Sequence, residues 1–440
     1  MLHSYKSVRD IIESQNKYMF PCTPKYRQPV VIVEGRGALV KDINGKEYVD
    51  LFGGYAAVNV GHCHPRVVRA IVEWAQKIHH TSYDYYNIPS ALLAEKLVQI
   101  LPMKGAKKVF FCVSGAEANE GAIKLARKYM LKFKHKVGLD ILTVRYSFHG
   151  RTHLTIALTG QTKYKKGMAV STAIPGIKII PAPYCFRCPF KMKYPECGTF
   201  CAYYIEDVIK YETSGDVGAF LIEPILGEGG IIVPPREYLK IAHDIIKGYD
   251  SLLIADEVQT GFGRTGKLFG IENFGVEPDV ISMAKGITSG LPLGAIGAKA
   301  EIADAFEHGD HSSTWGPNVV TCAAAVEVIN VLLEERLHER ARELGEYFLK
   351  RLSELANRHK IIGEVRGLGL MIGVELVRDE KKTPAISEAL RVREKMREKG
   401  FLIGAGGAYG CTLRIEPPLL ITKEQIDRAV DALDEVLGAL

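Results

Sequence analysis

The sequence predicts an α/β protein, with a large unit on a mostly parallel central sheet and a smaller α+β unit towards the C-terminus. Three observations carry this. From about residue 107, short near-continuous apolar runs alternate with helical stretches, the pattern of parallel strands covered on both faces. Beyond about residue 320 the alternation gives way to long helices around one glycine-flanked strand. The length of 440 residues, 47% of them hydrophobic, suits two or three structural units.

In chain order, Pro29–Val33 and Ala38–Asp42 read as strands, and Asn44-Gly45 is a hairpin turn signal. Helical patterns follow at 65–79, with Pro65 in the first turn, and at 89–101. The strand-length runs are Lys108–Cys112, Asp140–Val144, Ala219–Ile222, Leu252–Ala255 and Val280–Met283. Helices are expected at 321–357 with a break, near 385–399 and near 423–438, with Gly369–Leu376 as a strand between them. The expected division is a segment 1–60 joining the small unit, a large unit 61–325 and a small unit 326–440.

The formal charge of +6 is dispersed, with no basic run interleaved with aromatics, so nucleic acid is not an expected partner. No apolar stretch reaches the roughly 18 residues of a membrane span, and the opening Met1–Lys6 carries no apolar signal core. A cytoplasmic protein is expected. Nine cysteines, an odd count in a chain this long, do not make a disulfide scaffold.

Open α/β sheets bind ligands beyond the carboxyl ends of their strands, and several unusual residues fall there. Ser114–Asn119 follows an apolar run and opens a helix, so the amides of Gly115 and Ala116 make a seat for phosphate. Such turns also occur for purely structural reasons. Asp256 and Glu257 end another run; a buried carboxylate there needs a partner, although for Glu257 capping or a surface turn is the preferred reading. Lys285, after Val280–Ala284 and before Gly286, has the setting of a nucleophilic amine, where a lone lysine is more often a solvated strand end. Gly261–Gly266 matches G-x-G-x-x-G but neither follows a strand directly nor opens a helix, and reads as a loop.

Together these pieces resemble the class III aminotransferases, pyridoxal-phosphate enzymes acting largely on ω-amino groups. The resemblance runs from about Pro29 to the C-terminus and rests chiefly on Leu253–Gly266 and Pro278–Gly286. Gly61–Pro65, Ser114–Ala118, Phe148–Gly150, Glu223-Pro224, Gly227–Gly230 and Thr314 add to it. It implies a fold type I pyridoxal-phosphate-dependent transferase with pyridoxal 5'-phosphate as cofactor. Lys285 would hold the cofactor covalently and shuttle the proton, and Asp256 would pair with the ring nitrogen. Gln259 would reach the phenolic oxygen, Phe148 and Val258 would pack the two ring faces, and Gly115 and Ala116 would hold the phosphate. His149 and Glu223 are also expected at the cofactor. Thr314 would reach it from a neighbouring subunit, which implies a homodimer or a dimer of dimers.

For substrate, the stretch from Phe148 to Gly160 looks like that of 4-aminobutyrate aminotransferases, with Arg151 matching the distal-carboxylate arginine. Arg414 matches the α-carboxylate arginine and Glu228 the glutamate that gates it. The expected reaction therefore moves an amino group from a 4-aminobutyrate-like donor to a 2-oxo acid, 2-oxoglutarate first. A salt bridge or phosphate contact is the plain alternative for Arg151. Tyr55 departs from the 4-aminobutyrate pattern; in ornithine-using relatives a tyrosine there helps bind the α-carboxylate. Ornithine-type, alanine–glyoxylate-type and racemase chemistry remain alternatives. No metal is expected in the active site. Cys185, Cys188, Cys197 and Cys201 have spacing that fits free thiols, disulfides or a metal site alike. His62 and His64 are expected to support a turn.

Overall fold

The computed structural model describes residues 7–22, 27–169 and 174–440, so the opening hexapeptide read above lies outside the described residues. Three sheets organise the chain. Strands β1 (Ile32–Arg36), β2 (Leu39–Asp42) and β3 (Glu47–Asp50) form an antiparallel meander, turning at Gly45 with φ +84°. The first strand begins at Ile32 rather than Pro29, because the Val30 N–H closes a turn onto the Gln28 carbonyl (2.8 Å).

The central sheet holds β4 (Lys107–Cys112), β5 (Asp140–Val144), β6 (Ile177–Ile180), β7 (Val217–Ile222), β8 (Leu252–Asp256), β9 (Val280–Met283) and β10 (Gly294–Lys299). Its order is β4-β10-β9-β8-β7-β5-β6, with β9 to β6 parallel and β10 antiparallel to both neighbours. Every residue of β5, β7, β8 and β9 is buried, the physical origin of their apolar runs. The sequence reading missed β6 and β10. β6 is only four residues long. β10 is built of small residues because neighbours press on it: a Cβ on Gly297 would lie 2.6 Å from Leu101 Cδ1 and 2.9 Å from Ile281 Cγ2.

The third sheet contains β11 (Ile362–Leu368), β12 (Met371–Leu376), β14 (Gly404–Gly406) and β15 (Thr412–Ile415), in the order β11-β12-β15-β14. Between them in the chain, β13 (Phe401–Leu402) pairs parallel with β3 and ties the N-terminal meander to this region. The expected strand at 369–376 is thus one arm of a hairpin. Its turn needs Gly369 at φ +56°, since a Cβ there would lie 2.5 Å from the Thr265 carbonyl carbon. The long helical stretch breaks as expected, into Val319–Glu334 and Leu337–Arg358, at a left-handed Arg336. Ile386–Glu398 and Lys423–Gly438 complete the chain, the last opened by a Thr422/Gln425 capping box. No helix among the described residues is long and apolar enough to cross a membrane.

Candidate active site

The shared direction of β4, β5, β7, β8 and β9 carries their carboxyl ends to one edge of the sheet. Asp256 ends β8, and Lys285 lies two residues beyond β9, in the next strand over. Lys285 adopts φ 48° at the start of a short helical turn. Burial pushes its ammonium below the usual lysine range, opposed first by Glu416. A lysine so placed supplies a neutral, nucleophilic amine more readily than a solvated one.

Asp256 is buried and held from three sides. Its Oδ2 accepts from His149 Nδ1 (2.7 Å) and Asn119 Nδ2 (2.8 Å), and its Oδ1 accepts from the Val258 amide (3.1 Å). His149 in turn contacts Thr143 Oγ1 through Nε2 (2.9 Å), and Ser282 Oγ donates to Asn119 Oδ1 (2.6 Å). His149 therefore stands behind Asp256, its side chain fully buried, and would serve a bound ring only through that carboxylate. Asn119 was not singled out from the sequence. The signal that could have found it is its spacing, since an asparagine four residues after the glycine turn shares a helix face with Ala122 and Ile123, which the structure buries.

Ser114 caps the helix Gly115–Lys134 by accepting from the Glu117 amide (3.2 Å), while Glu117 Oε2 accepts from the Val113 amide (2.7 Å). The Gly115 and Ala116 amides are among the first four of the helix, which have no intrahelical acceptor and suit an anion. Val258 closes over this point: a Cβ on Gly115 would lie 2.7 Å from its Cγ1. Glu223 is buried and accepts from the Phe148 amide (2.8 Å) and the Gly227 amide (2.9 Å). Burial raises its carboxyl to about 7, with His149 opposing. Gln259 Nε2 donates to the Tyr55 carbonyl (3.1 Å).

On the substrate side, Arg414 Nη1 donates to Glu228 Oε2 (2.5 Å), and Tyr164 donates its hydroxyl to the other oxygen of Glu228. Burial works against the Glu228 carboxylate, but Arg414 and Tyr164 hold it below its usual range. The Arg414 guanidinium lies 5.5 Å from the Phe52 ring and 5.6 Å from the Tyr55 ring. Tyr55 sits in a left-handed run, with φ +54°, +58° and +66° at Gly53, Gly54 and Tyr55. Arg151 is exposed and stacks on Tyr164 at 4.5 Å and Phe148 at 5.5 Å. Thr314 is exposed and takes no part in this cluster within its own chain, although its neighbour Ser313 reaches Glu117.

Glu257 is not the surface turn expected. It is fully buried and accepts from the amides of Gly270 (2.8 Å) and Ile271 (2.7 Å) and from the Thr260 hydroxyl. It thereby folds back the Gly261–Gly266 loop, which is a loop as expected. Burial raises Glu257 to about 7 from 4.5, its hydrogen bonds opposing. Between those two pH values the unfolded chain releases a proton that the folded chain keeps, so this residue's contribution to stability falls as pH rises through the window. The loss is on the order of 3 kcal/mol. Urea unfolding at about pH 5 and about pH 8 should show a smaller stability difference in Glu257→Gln than in the parent.

His62 Nε2 contacts Asp50 (2.8 Å), and His64, which precedes the helix Pro65–Lys77, faces Glu335 at the end of Val319–Glu334 (3.7 Å). The four clustered cysteines line one small apolar pocket as free thiols, with burial raising Cys185 to about 11 and Cys201 to about 12. Among the described residues, no group of three or more His, Cys, Asp or Glu side chains is placed to hold a metal ion.

An amine of lowered pKa, a buried carboxylate one strand away and a helix N-terminus beside both are what pyridoxal phosphate needs at its aldehyde, ring nitrogen and phosphate. The residues present fit that cofactor, and the chain is a pyridoxal-phosphate-dependent enzyme of the α/β kind. Residues 22–437 match the sequence model of Aminotransferase class-III, and the chain belongs to that family. It is 42% identical to the acetylornithine aminotransferase of Methanocaldococcus jannaschii over 410 residues, 93% of this chain and 94% of that one. It is 38% identical to the leucine/methionine racemase of Thermococcus litoralis over 432 residues, 98% of this chain and 95% of that one. The structure matches the ornithine aminotransferase of Toxoplasma gondii with a TM-score of 0.87 at 30% identity, covering 99% of this chain and 96% of that one. The expected 4-aminobutyrate donor finds no support in these relatives. The ornithine-type alternative fits them better.

Proposed function

We propose that the enzyme takes the terminal amino group of an ornithine-type donor, such as acetylornithine, and passes it to a 2-oxo acid, 2-oxoglutarate foremost. The observation that carries this is Tyr55, held beside Arg414 by a strained backbone while Glu228 covers the same guanidinium. With Glu228 on Arg414 the site accepts a reacting carbon that bears no carboxylate. With Glu228 turned away, Arg414 grips the α-carboxylate of the acceptor, and Arg151 takes the distal carboxylate.

Bound pyridoxal phosphate supplies an electron sink for the carbanion beside nitrogen. The chain's own residues do the rest. Asp256, fixed by His149 and Asn119, holds a proton at the ring nitrogen. Lys285 moves the proton between the donor carbon and the cofactor. Phe148 and Val258 exclude water from the two ring faces, and the Gly115 and Ala116 amides hold the phosphate. In this reading residues 61–325 form the cofactor-binding unit, and 326–440 with the first 60 residues bring Arg414 to it.

A second subunit belongs to the same reading. Exposed Trp315 (60%) beside Thr314 lies against His80 (5.1 Å), and Asn87, between exposed Tyr86 and Ile88, donates to the Pro317 carbonyl (3.4 Å); these exposed apolar side chains suit another copy that would bring Thr314 to the phosphate. The resemblance to a racemase keeps α-carbon inversion as a second reading. With 2-oxoglutarate as acceptor, kcat/KM for acetylornithine or ornithine should exceed that for 4-aminobutyrate by at least about tenfold, one 1.4 kcal/mol contact. Solvent deuterium entering the α-carbon of an amino acid without any 2-oxo acid, together with no glutamate formed when 2-oxoglutarate is then added, would replace this reading with the racemase.

A further inference from the structure

Arg414 faces two carboxylates. Glu228 is part-exposed and sits on a loop. The other is Glu416, two residues on and therefore on the same face of the extended chain. Its Oε2 lies 2.9 Å from Arg414 Nη2. Glu416 is 0% exposed, yet neither of its oxygens has a hydrogen-bond partner among the described residues. A buried carboxylate left so unsatisfied is costly unless neighbouring charge compensates it.

Three cations provide that compensation. Burial pulls the Arg414 guanidinium down, but Glu416, and after it Glu228, more than offset this and raise it. Glu416 is also the leading charge opposing the effect of burial on Lys285 and on Arg264. Fully buried Arg264 otherwise donates to neutral acceptors, the carbonyls of Leu370 (3.0 Å) and Pro417 and Asn59 Oδ1 (2.8 Å). The backbone around Glu416 is fixed. Its N–H donates to the Leu51 carbonyl (2.7 Å), and its own carbonyl lies 2.7 Å from where a Cβ on Gly53 would stand. Glu228 lies part-exposed on a loop, whereas Glu416 is fully buried on a backbone held at both its N–H and its carbonyl.

We propose that Glu416 is a permanent second counter-ion of Arg414, which weakens the grip of that arginine on an α-carboxylate and biases the site towards donors whose reacting carbon carries none. The proposal rests on the reading of Arg414 given above and names its specificity more narrowly. When Glu228 moves aside, an arginine without another partner would offer an incoming α-carboxylate its whole charge. Here Glu416 still neutralises part of it and repels the newcomer directly. Glu416 acts through Arg414 and is a positioning residue.

The test uses holoenzyme and glutarate, a dicarboxylate with no carbonyl to accept an amino group. Its half-saturating concentration is read from the thermal shift of the parent, Glu416→Gln and Glu416→Asp. Glu416→Gln should bind glutarate about tenfold more tightly, the effect of one nearby unit charge in a partly screened site. KM for 2-oxoglutarate should fall alongside, while KM for 4-aminobutyrate, which has no α-carboxylate, stays unchanged. Glu416→Asp keeps the charge and should stay near the parent. If loss of the counter-ion of Arg264 stops Glu416→Gln from folding, the charge-balanced pair Glu416→Gln with Arg264→Gln reads the same difference. Glutarate affinity that is unchanged or weaker without the charge overturns the proposal. Parent holoenzyme that moves no amino group, yet shows the glutarate difference, would sink the functional reading and leave this one standing.

Discussion

Lys285→Ala is expected to lower kcat by about 10⁴-fold, the upper range for a positioned proton-transfer group, and to abolish covalent retention of the cofactor. The argument starts from position. Lys285 follows β9, the neighbour of the strand that ends in Asp256, and its left-handed backbone turns the chain sharply at that point. Burial lowers its pKa, so a neutral amine is available to attack and then to take and return a proton. Alanine removes that amine while leaving the phosphate seat at Gly115 and Ala116 and the Asp256 cluster in place. Borohydride reduction followed by mass measurement should therefore fix cofactor to the parent chain and not to the variant. Added ethylamine should restore part of the activity. Activity within about tenfold of the parent would exclude Lys285 from the chemistry.

Asp256→Asn is the second large effect, expected to cost about 10³-fold in kcat with little change in KM, since the charge is needed chiefly as the reaction proceeds. Two donors converge on Asp256 Oδ2, from His149 and Asn119, so the carboxylate is oriented before any ligand arrives. Asparagine keeps the size but removes the negative charge that holds a proton at the ring nitrogen. It also turns an amide donor towards existing donors, which should lower thermal stability as well. A variant with unchanged kcat would mean that the ring nitrogen is not served from β8.

How far these residues could be read from the sequence depended on how local their signals were. β5, β7, β8 and β9 are wholly buried, and their apolar runs announce themselves. Lys285 and Asp256 stood out because each is a charge directly after such a run. β10 stayed hidden because its Gly297 answers to Leu101 and Ile281 and its Gly294 to Ser114 and Cys112, none of them a neighbour in the chain. β14 and β15 are three and four residues long and exist through pairing, too short for periodicity to register. Glu257 looked like a surface turn because its acceptors' partners, the amides of Gly270 and Ile271, come 13 and 14 residues later. Glu416, inside Arg414-Ile-Glu-Pro-Pro418, gave no local hint that it would be buried among Arg414, Arg264 and Lys285.

The most direct test of the account is a single half-reaction. Holoenzyme is mixed with acetylornithine and no 2-oxo acid, then denatured, and the released cofactor and the donor product are identified by mass. The account predicts that about one equivalent of cofactor per subunit carries the amino group, with the donor's terminal carbon left as an aldehyde. Cofactor recovered entirely in its aldehyde form, with acetylornithine unchanged, would contradict it.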